Sequence, residues 1–129
     1  MIKTEMRPVK PHDTTVAVSD MDEYTLNWAV AKALGMQIYK AKQRAWLTKP
    51  YGQFDQSHRL PRWQPCTDWA QGGPIIEHGK VDVMFEGPEW YAYIRLGEKT
   101  LQFDGETPLI AAMRCFVASK LGKHIQPEI

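Results

Sequence analysis

The segment 107–122 (TPLIAAMRCFVASKLG) constrains the fold more than any other part of the chain. Its apolar residues recur at helical spacing along one broad face. They are Leu109, Ala112, Met113, Phe116, Val117 and Leu121. Thr107 can cap the amino end, Pro108 suits the first helical position, and Gly122 can end the helix. The sequence therefore predicts an amphipathic helix that needs a second layer of structure to bury its apolar face.

Three segments before this helix alternate apolar and polar residues, as half-buried strands do. They cover 81–86, 90–96 and 100–103, and turns at Gly87 and Gly97 separate them. Connections of about three residues are too short for parallel crossovers, so the three strands should form an antiparallel meander.

A helix is also predicted near the amino end, over 21–34. Asp20 and Glu23 have the spacing of a capping box, and Gly35 suits the position after the last turn. A single apolar stripe follows from the spacing of Leu26, Val30, Ala33 and Leu34.

Length and element order together predict one α+β domain. Residues 1–13 are expected to be a flexible N-terminal arm, and 14–125 the domain itself. In that domain a three-stranded antiparallel meander packs with an N-terminal and a C-terminal helix. The stretch 36–66 is an irregular basic and aromatic segment. Short strands are expected at 14–18, 36–40 and 44–48.

The charge is nearly balanced over the whole chain but uneven along it. The net charge is +1, with a balance of +4 over residues 1–66 and −3 over 67–129. The first residues lack the apolar core of a signal peptide, and no run of about 18 apolar residues exists, so we expect a cytoplasmic protein without membrane contact.

The segment 67–77 (TDWAQGGPIIE) combines a helix start with a break. Asp68 can cap a short helix over 68–71, and Trp69 is interpreted as a core anchor. The break consists of Gly72, Gly73 and Pro74, although Pro74 could instead open a second helical turn over 74–78. One of the two glycines should adopt a positive φ or lie against another backbone.

The histidines and cysteines lack the spacing of metal ligands, so we expect no metal or cofactor. A nucleophilic Cys–His pair stays open, because such partners meet in space and not in sequence, but we expect no catalytic residue. A small-molecule pocket around the break, in a protein that either sequesters its ligand or acts on it as an enzyme, is one alternative function. Its residues would be Asp68, Trp69, Gln71, Gly72, Gly73, Glu77 and Arg114. The simpler role for Arg114 is a salt bridge to Asp104 or Glu106.

A second alternative is nucleic-acid binding through 39–63, where basic and aromatic residues alternate. Basic side chains can follow phosphates while aromatic rings stack on bases. The contacts would come from Lys40, Arg44, Trp46, Arg59, Arg62 and Trp63. A structural role with buried rings is favoured instead, because the net charge of the chain is only +1.

The predicted meander has a second face, which carries Met84, Tyr91 and Tyr93. The two helices should cover only one side of the sheet. The second side is then exposed to solvent, covered by residues 39–63, or covered by another subunit. We expect a homodimer, since exposed apolar patches usually mark contact sites and two-fold dimers are common.

Three segments together resemble the phage NinX-type domain: LNWAVAKALG (26–35), TDWAQGGPIIE (67–77) and TPLIAAMRCFVASKLG (107–122). They match that family's pattern in order across residues 22–122. The resemblance implies a phage or prophage origin and a cytoplasmic protein made in an infected bacterium. It implies no activity. The leading expectation is therefore a phage accessory protein that binds a host or phage factor without catalysis.

Overall fold

A computed structural model describes residues 14–48 and 62–128. These residues form a mixed α+β domain, as predicted, while the expected arm over 1–13 lies outside them. The helices are α1 (Glu23–Leu34), α2 (Trp69–Gly79) and α3 (Pro108–Leu121). The strands are β1 (Val16–Ala17), β2 (Ile38–Ala41), β3 (Ala45–Thr48), β4 (Asp82–Glu86), β5 (Glu89–Leu96), β6 (Lys99–Gly105) and β7 (His124–Ile125).

The predicted meander is confirmed. Strands β4, β5 and β6 form an antiparallel sheet in chain order. Its register pairs Val83 with Ala92 and Ala92 with Phe103. The turns contain Gly87 and Gly97, both at positive φ. Two smaller antiparallel pairs, β1 with β7 and β2 with β3, complete the strands among the described residues.

Helix α3 is the centre of the core and begins and ends as predicted. The Thr107 side chain accepts a hydrogen bond from the Ile110 amide, and Gly122 follows the last turn. Helices α1 and α2 and strands β5 and β6 all pack against α3. Met113, Phe116 and Val117 are therefore buried.

Helix α1 starts two residues later than the predicted span. Asp20 belongs to a preceding 3₁₀ turn, and Asp22 is the actual cap, because its side chain accepts from the Thr25 amide at 2.8 Å. The predicted capping box of Asp20 and Glu23 is therefore wrong. Gly35 ends the helix at φ 73°, as expected.

Helix α2 runs through the predicted break, so the expectation that it stops at 71 is wrong. Gly72 is buried inside α2, where a Cβ would lie 2.5 Å from both Leu109 Cδ2 and the Pro65 carbonyl oxygen. This glycine permits close packing of α2 on α3, which confirms the predicted close approach to backbone. Trp69 is 56% exposed, so its interpretation as a core anchor is wrong.

The hairpin of β2 and β3 packs on α1 rather than on the three-stranded sheet. The Trp46 ring stacks on Tyr24 of α1 with centroids 4.8 Å apart, and its Nε1 donates to the Tyr24 carbonyl oxygen at 2.9 Å. An isolated antiparallel bridge between Leu47 and Arg62 joins β3 to the chain before α2. Of the described helices, none has the length and apolar character needed to cross a bilayer.

Candidate functional site

The side chains predicted to line a pocket around 68–77 are tied to nearby backbone. Asp68 accepts from the Ala70 amide at 2.9 Å. Gln71 accepts from the Gln64 amide and donates to the Arg62 carbonyl oxygen, both at 2.7 Å. These bonds hold the chain before α2 against its first turn. They give Asp68 and Gln71 structural roles, and a ligand-binding role for them stays a prediction.

The other side chains predicted to line this pocket do not converge on one place. Glu77 is exposed on α2, and Trp69 extends into solvent. Arg114 lines a separate cavity of about 280 Å³, between α1 and α3. Its guanidinium donates to the carbonyl oxygen of Asp104 at 2.7 Å. Within 14–48 and 62–128 no ion pair joins Arg114 to Asp104 or Glu106, so the predicted salt bridge is wrong.

Both cysteines are buried and reduced. Burial raises the pKa of the Cys66 thiol, and it raises the pKa of Cys115 to about 12. A thiol is a nucleophile only as the thiolate, so at neutral pH neither residue is activated. Among the described residues, no group of three histidine, cysteine or acidic side chains is arranged to hold a metal ion.

The residues predicted to contact nucleic acid have mixed positions. Trp46 and Trp63 are 4% and 7% exposed, which agrees with the favoured structural role for buried rings and leaves little of either ring open to a base. Lys40, Arg44 and Arg62 are exposed. Arg59 lies outside the described residues.

A cleft does form beside these buried rings. It has a volume of about 300 Å³ and lies between the start of α1, the β2–β3 hairpin and residues 62–67. Arg44 covers its edge: the guanidinium lies 4.2 Å from the Tyr24 ring centroid and pairs with Asp22 at 2.9 Å. Arg44 itself has a φ of 55°, a conformation uncommon for residues other than glycine. We call this feature the α1 cleft.

The second feature is the outer face of the sheet, on the side away from α3. Ala92 and Ile94 point toward α3 and are buried. Because side chains alternate along a strand, Tyr91 and Tyr93 point the opposite way. Tyr91 is paired with Met84, which is 49% exposed. The segment 39–48 does not cover this face, because it packs on α1.

Carboxylates gather at one end of the outer face. Glu86 pairs directly with Glu89 across β4 and β5. The Asp104 carboxyl, on β6, hydrogen-bonds the Glu89 carboxyl and raises the Glu89 pKa, and Glu106 adds to the effect. Sequence reasoning missed this cluster, because only the strand register shows which acidic residues become neighbours.

The family model described as Bacteriophage P22, NinX matches residues 17–120. The chain belongs to the NinX family. No curated protein matches the chain.

The matched NinX span extends from β1 to the last turn of α3. It therefore includes the residues of both the α1 cleft and the outer face of the sheet. The fold, the cleft and the outer face all belong to the part of the chain that defines membership of the NinX family.

Proposed function

We propose that this NinX-family protein is a non-catalytic binding protein that engages a host or phage protein through the outer face of its sheet. The observation that carries the proposal is the one-sided cover of the sheet. Helix α3 buries Ala92 and Ile94, while Met84 on the other side is 49% exposed. Aromatic residues and methionine are common at the centre of protein interfaces, and Tyr91 and Tyr93 lie beside it.

The carboxylates at the edge of this face favour a basic partner. Like charges directly opposite each other destabilise a sheet, and Glu86 faces Glu89 in this way. The pKa of Glu89 is raised as well, chiefly by its side-chain hydrogen bond with Asp104 and by the charge of that carboxylate. A lysine or arginine from the partner would relieve this repulsion and would also form charge-assisted hydrogen bonds.

A second copy of the chain fits this face less well. A two-fold interface brings the same patch of both subunits together. The face carries four carboxylates against one guanidinium, that of Arg95, which already pairs with Asp82 at 3.1 Å. Self-association would bring the carboxylates of two copies together, and they would repel each other. We therefore rank a homodimer below a complex with a basic partner. The carboxylates are Asp82, Glu86, Glu89 and Asp104.

The absence of catalysis is also part of the proposal. It is supported by the buried, protonated thiols of Cys66 and Cys115. We further propose that the protein acts in the cytoplasm of an infected or lysogenic bacterium, because its family is described by a bacteriophage protein.

Site-specific photo-crosslinking in infected cells tests this function. A benzophenone amino acid at position 93 should give a heterologous adduct, and the same probe at the exposed Lys42 on the hairpin should not. The adduct should disappear after Glu89→Lys, and the crosslinked peptide should be rich in lysine or arginine. Adducts that form equally from position 42, or that survive Glu89→Lys, would contradict the proposal.

Light scattering provides the complementary measurement. We expect a mass of 14.8 kDa, that of the monomer, at all concentrations. A concentration-dependent dimer that Tyr93→Arg abolishes would show that a second copy, rather than a basic partner, occupies the outer face.

A further inference from the structure

The α1 cleft is lined by a side-chain amide, that of Asn27, whose nitrogen has no hydrogen-bond acceptor among the described residues. Asn27 is only 7% exposed, yet it lines the cleft. Its side-chain oxygen accepts from the Cys66 amide at 3.1 Å, and its carbonyl oxygen accepts from Trp63 Nε1 at 2.8 Å. Within residues 14–48 and 62–128, no acceptor meets the Asn27 Nδ2 group.

The orientation of the Asn27 amide follows from its neighbour. An amide can usually be turned so that oxygen and nitrogen exchange places. Here the Cys66 N–H requires an acceptor, so the oxygen must face Cys66 and the nitrogen must face away from it. The Nδ2 group is therefore directed away from Cys66. A ligand that brings an acceptor into the cleft would give this donor a hydrogen-bond partner.

Arg62 supplies a second donor group at the same cleft. Its backbone is fixed by the bridge to Leu47 and by the hydrogen bond from Gln71. Its guanidinium is exposed and, in the described part of the chain, forms no ion pair. A guanidinium presents paired N–H groups whose geometry matches that of a carboxylate.

The acidic residues of the cleft limit the charge of its ligand. The Asp22 carboxylate is occupied, since it accepts from Thr25 N and from Arg44. Glu23 also lines the cleft and leaves a negative charge there. Every phosphate of a polyphosphate or nucleic-acid backbone in the cleft would be repelled by this charge. A ligand with a single negative charge would experience only one such repulsion.

From these contacts we infer that the α1 cleft binds a single carboxylate group, held by the Arg62 guanidinium and the Asn27 Nδ2 amide. The cleft volume of about 300 Å³ suits a group the size of an amino acid. The carboxylate could belong to a small metabolite or to the C-terminus of a peptide, and both present the same chemistry. This site is separate from the outer face of the sheet.

NMR titration of the full-length, ¹⁵N-labelled protein tests the inference. N-acetylglycine is the probe, and N-acetylglycinamide is a control of the same shape without the charge. The acid should shift the Asn27 side-chain amide and the Trp63 indole signals in a saturable manner, and the amide should not. Acetyl-alanylglycine with a free carboxylate identifies the source: tighter binding than N-acetylglycine indicates a peptide C-terminus, and equal binding indicates a small acid.

Matched variants complete the test. Arg62→Gln should weaken binding of N-acetylglycine about tenfold or more, since a charge-assisted pair of hydrogen bonds is lost. Asn27→Asp should also weaken it, because an acceptor for Cys66 remains while the Nδ2 donor is gone. Arg95→Gln, on the sheet, should leave it unchanged. Unsaturable shifts, equal shifts with the amide, unchanged affinity in Arg62→Gln, or tighter binding of an oligonucleotide at Asn27 would overturn the inference.

Discussion

Gly72 of α2 and Leu109 of α3 lie so close together that a Cβ on Gly72 would be 2.5 Å from Leu109 Cδ2. The Pro65 carbonyl oxygen lies equally close on another side. The Leu109 side chain could rotate in part, but the Pro65 carbonyl belongs to the backbone and cannot, so a Cβ at position 72 would require the backbone to shift.

Gly72→Ala should therefore lower the free energy of unfolding by about 1–3 kcal/mol, the usual cost of overpacking. Gly73 is the matched control, because the nearest atom to its added Cβ would be Trp69 Cε3 at 4.0 Å. Gly73→Ala should raise the free energy of unfolding by about 0.5–1 kcal/mol, since alanine favours a helix. Urea denaturation measures both, and equal effects would refute the close-packing explanation.

Trp69 and Trp46 should respond very differently to truncation. Trp69→Ala should change stability by no more than about 0.5 kcal/mol, because the ring is 56% exposed. Trp46→Ala should cost about 3–5 kcal/mol, because the buried ring and its stacking on Tyr24 are lost. Thermal and urea unfolding of the two variants provide the comparison. A large loss of stability in Trp69→Ala would contradict the exposure of the ring and support its interpretation as a core residue.

The cap of α1 can be located by two alanine variants. Asp22→Ala should cost about 1 kcal/mol, as loss of an N-cap usually does, whereas Asp20→Ala should have little effect. The bond from the Thr25 amide, with help from Arg44, lowers the Asp22 pKa in the folded protein. The stabilisation is therefore present above the ordinary carboxyl pKa and is lost as the pH falls through the lowered value. The difference in the free energy of unfolding between wild type and Asp22→Ala, measured by urea denaturation, should become smaller at acidic pH.

Glu89 should produce the opposite dependence on pH. Its pKa is raised, chiefly by the side-chain hydrogen bond with Asp104. The folded protein therefore keeps a proton that the unfolded chain has released, and stability falls as the pH rises from the ordinary to the raised value. Glu89→Gln should be more stable than wild type at neutral pH and should lack this decline. Glu98→Gln, in the β5–β6 turn, removes the same charge outside the cluster and serves as the control.

The thiols offer a measure of core opening. Cys66 and Cys115 are buried, and the raised pKa values keep them protonated at neutral pH. Alkylation of the native protein should be slow at pH 7 and should become fast in urea. Fast modification of the native protein at pH 7 would contradict the burial of these residues.

Local signals were enough to predict much of the fold. Thr107, Pro108 and Gly122 determine the limits of α3 through their own backbone preferences, and Gly35 does the same for α1. The alternation along β4 to β6 likewise reflects one buried face. Each of these signals lies within a few residues of the feature that it predicts.

The predictions that failed, and the features that were missed, depend on contacts with residues that are distant in sequence. Gly72 resembles a helix break until Leu109 packs against it. The cleft contacts of Asn27 with Trp63 and Cys66 join residues that are far apart in sequence, so no local pattern predicts them. The pairing of Glu86 with Glu89 and the approach of Asp104 likewise depend on strand register.

The bridge between Leu47 and Arg62 makes this point of the chain suitable for insertions. The two residues are held side by side, so the stretch of chain between them begins and ends at one place on the described fold. The free energy of closing a loop rises by only about 0.6 kcal/mol for each doubling of its length. A reporter domain or an affinity tag inserted between them should therefore leave the rest of the protein folded, and relatives could differ in length here without rebuilding their core.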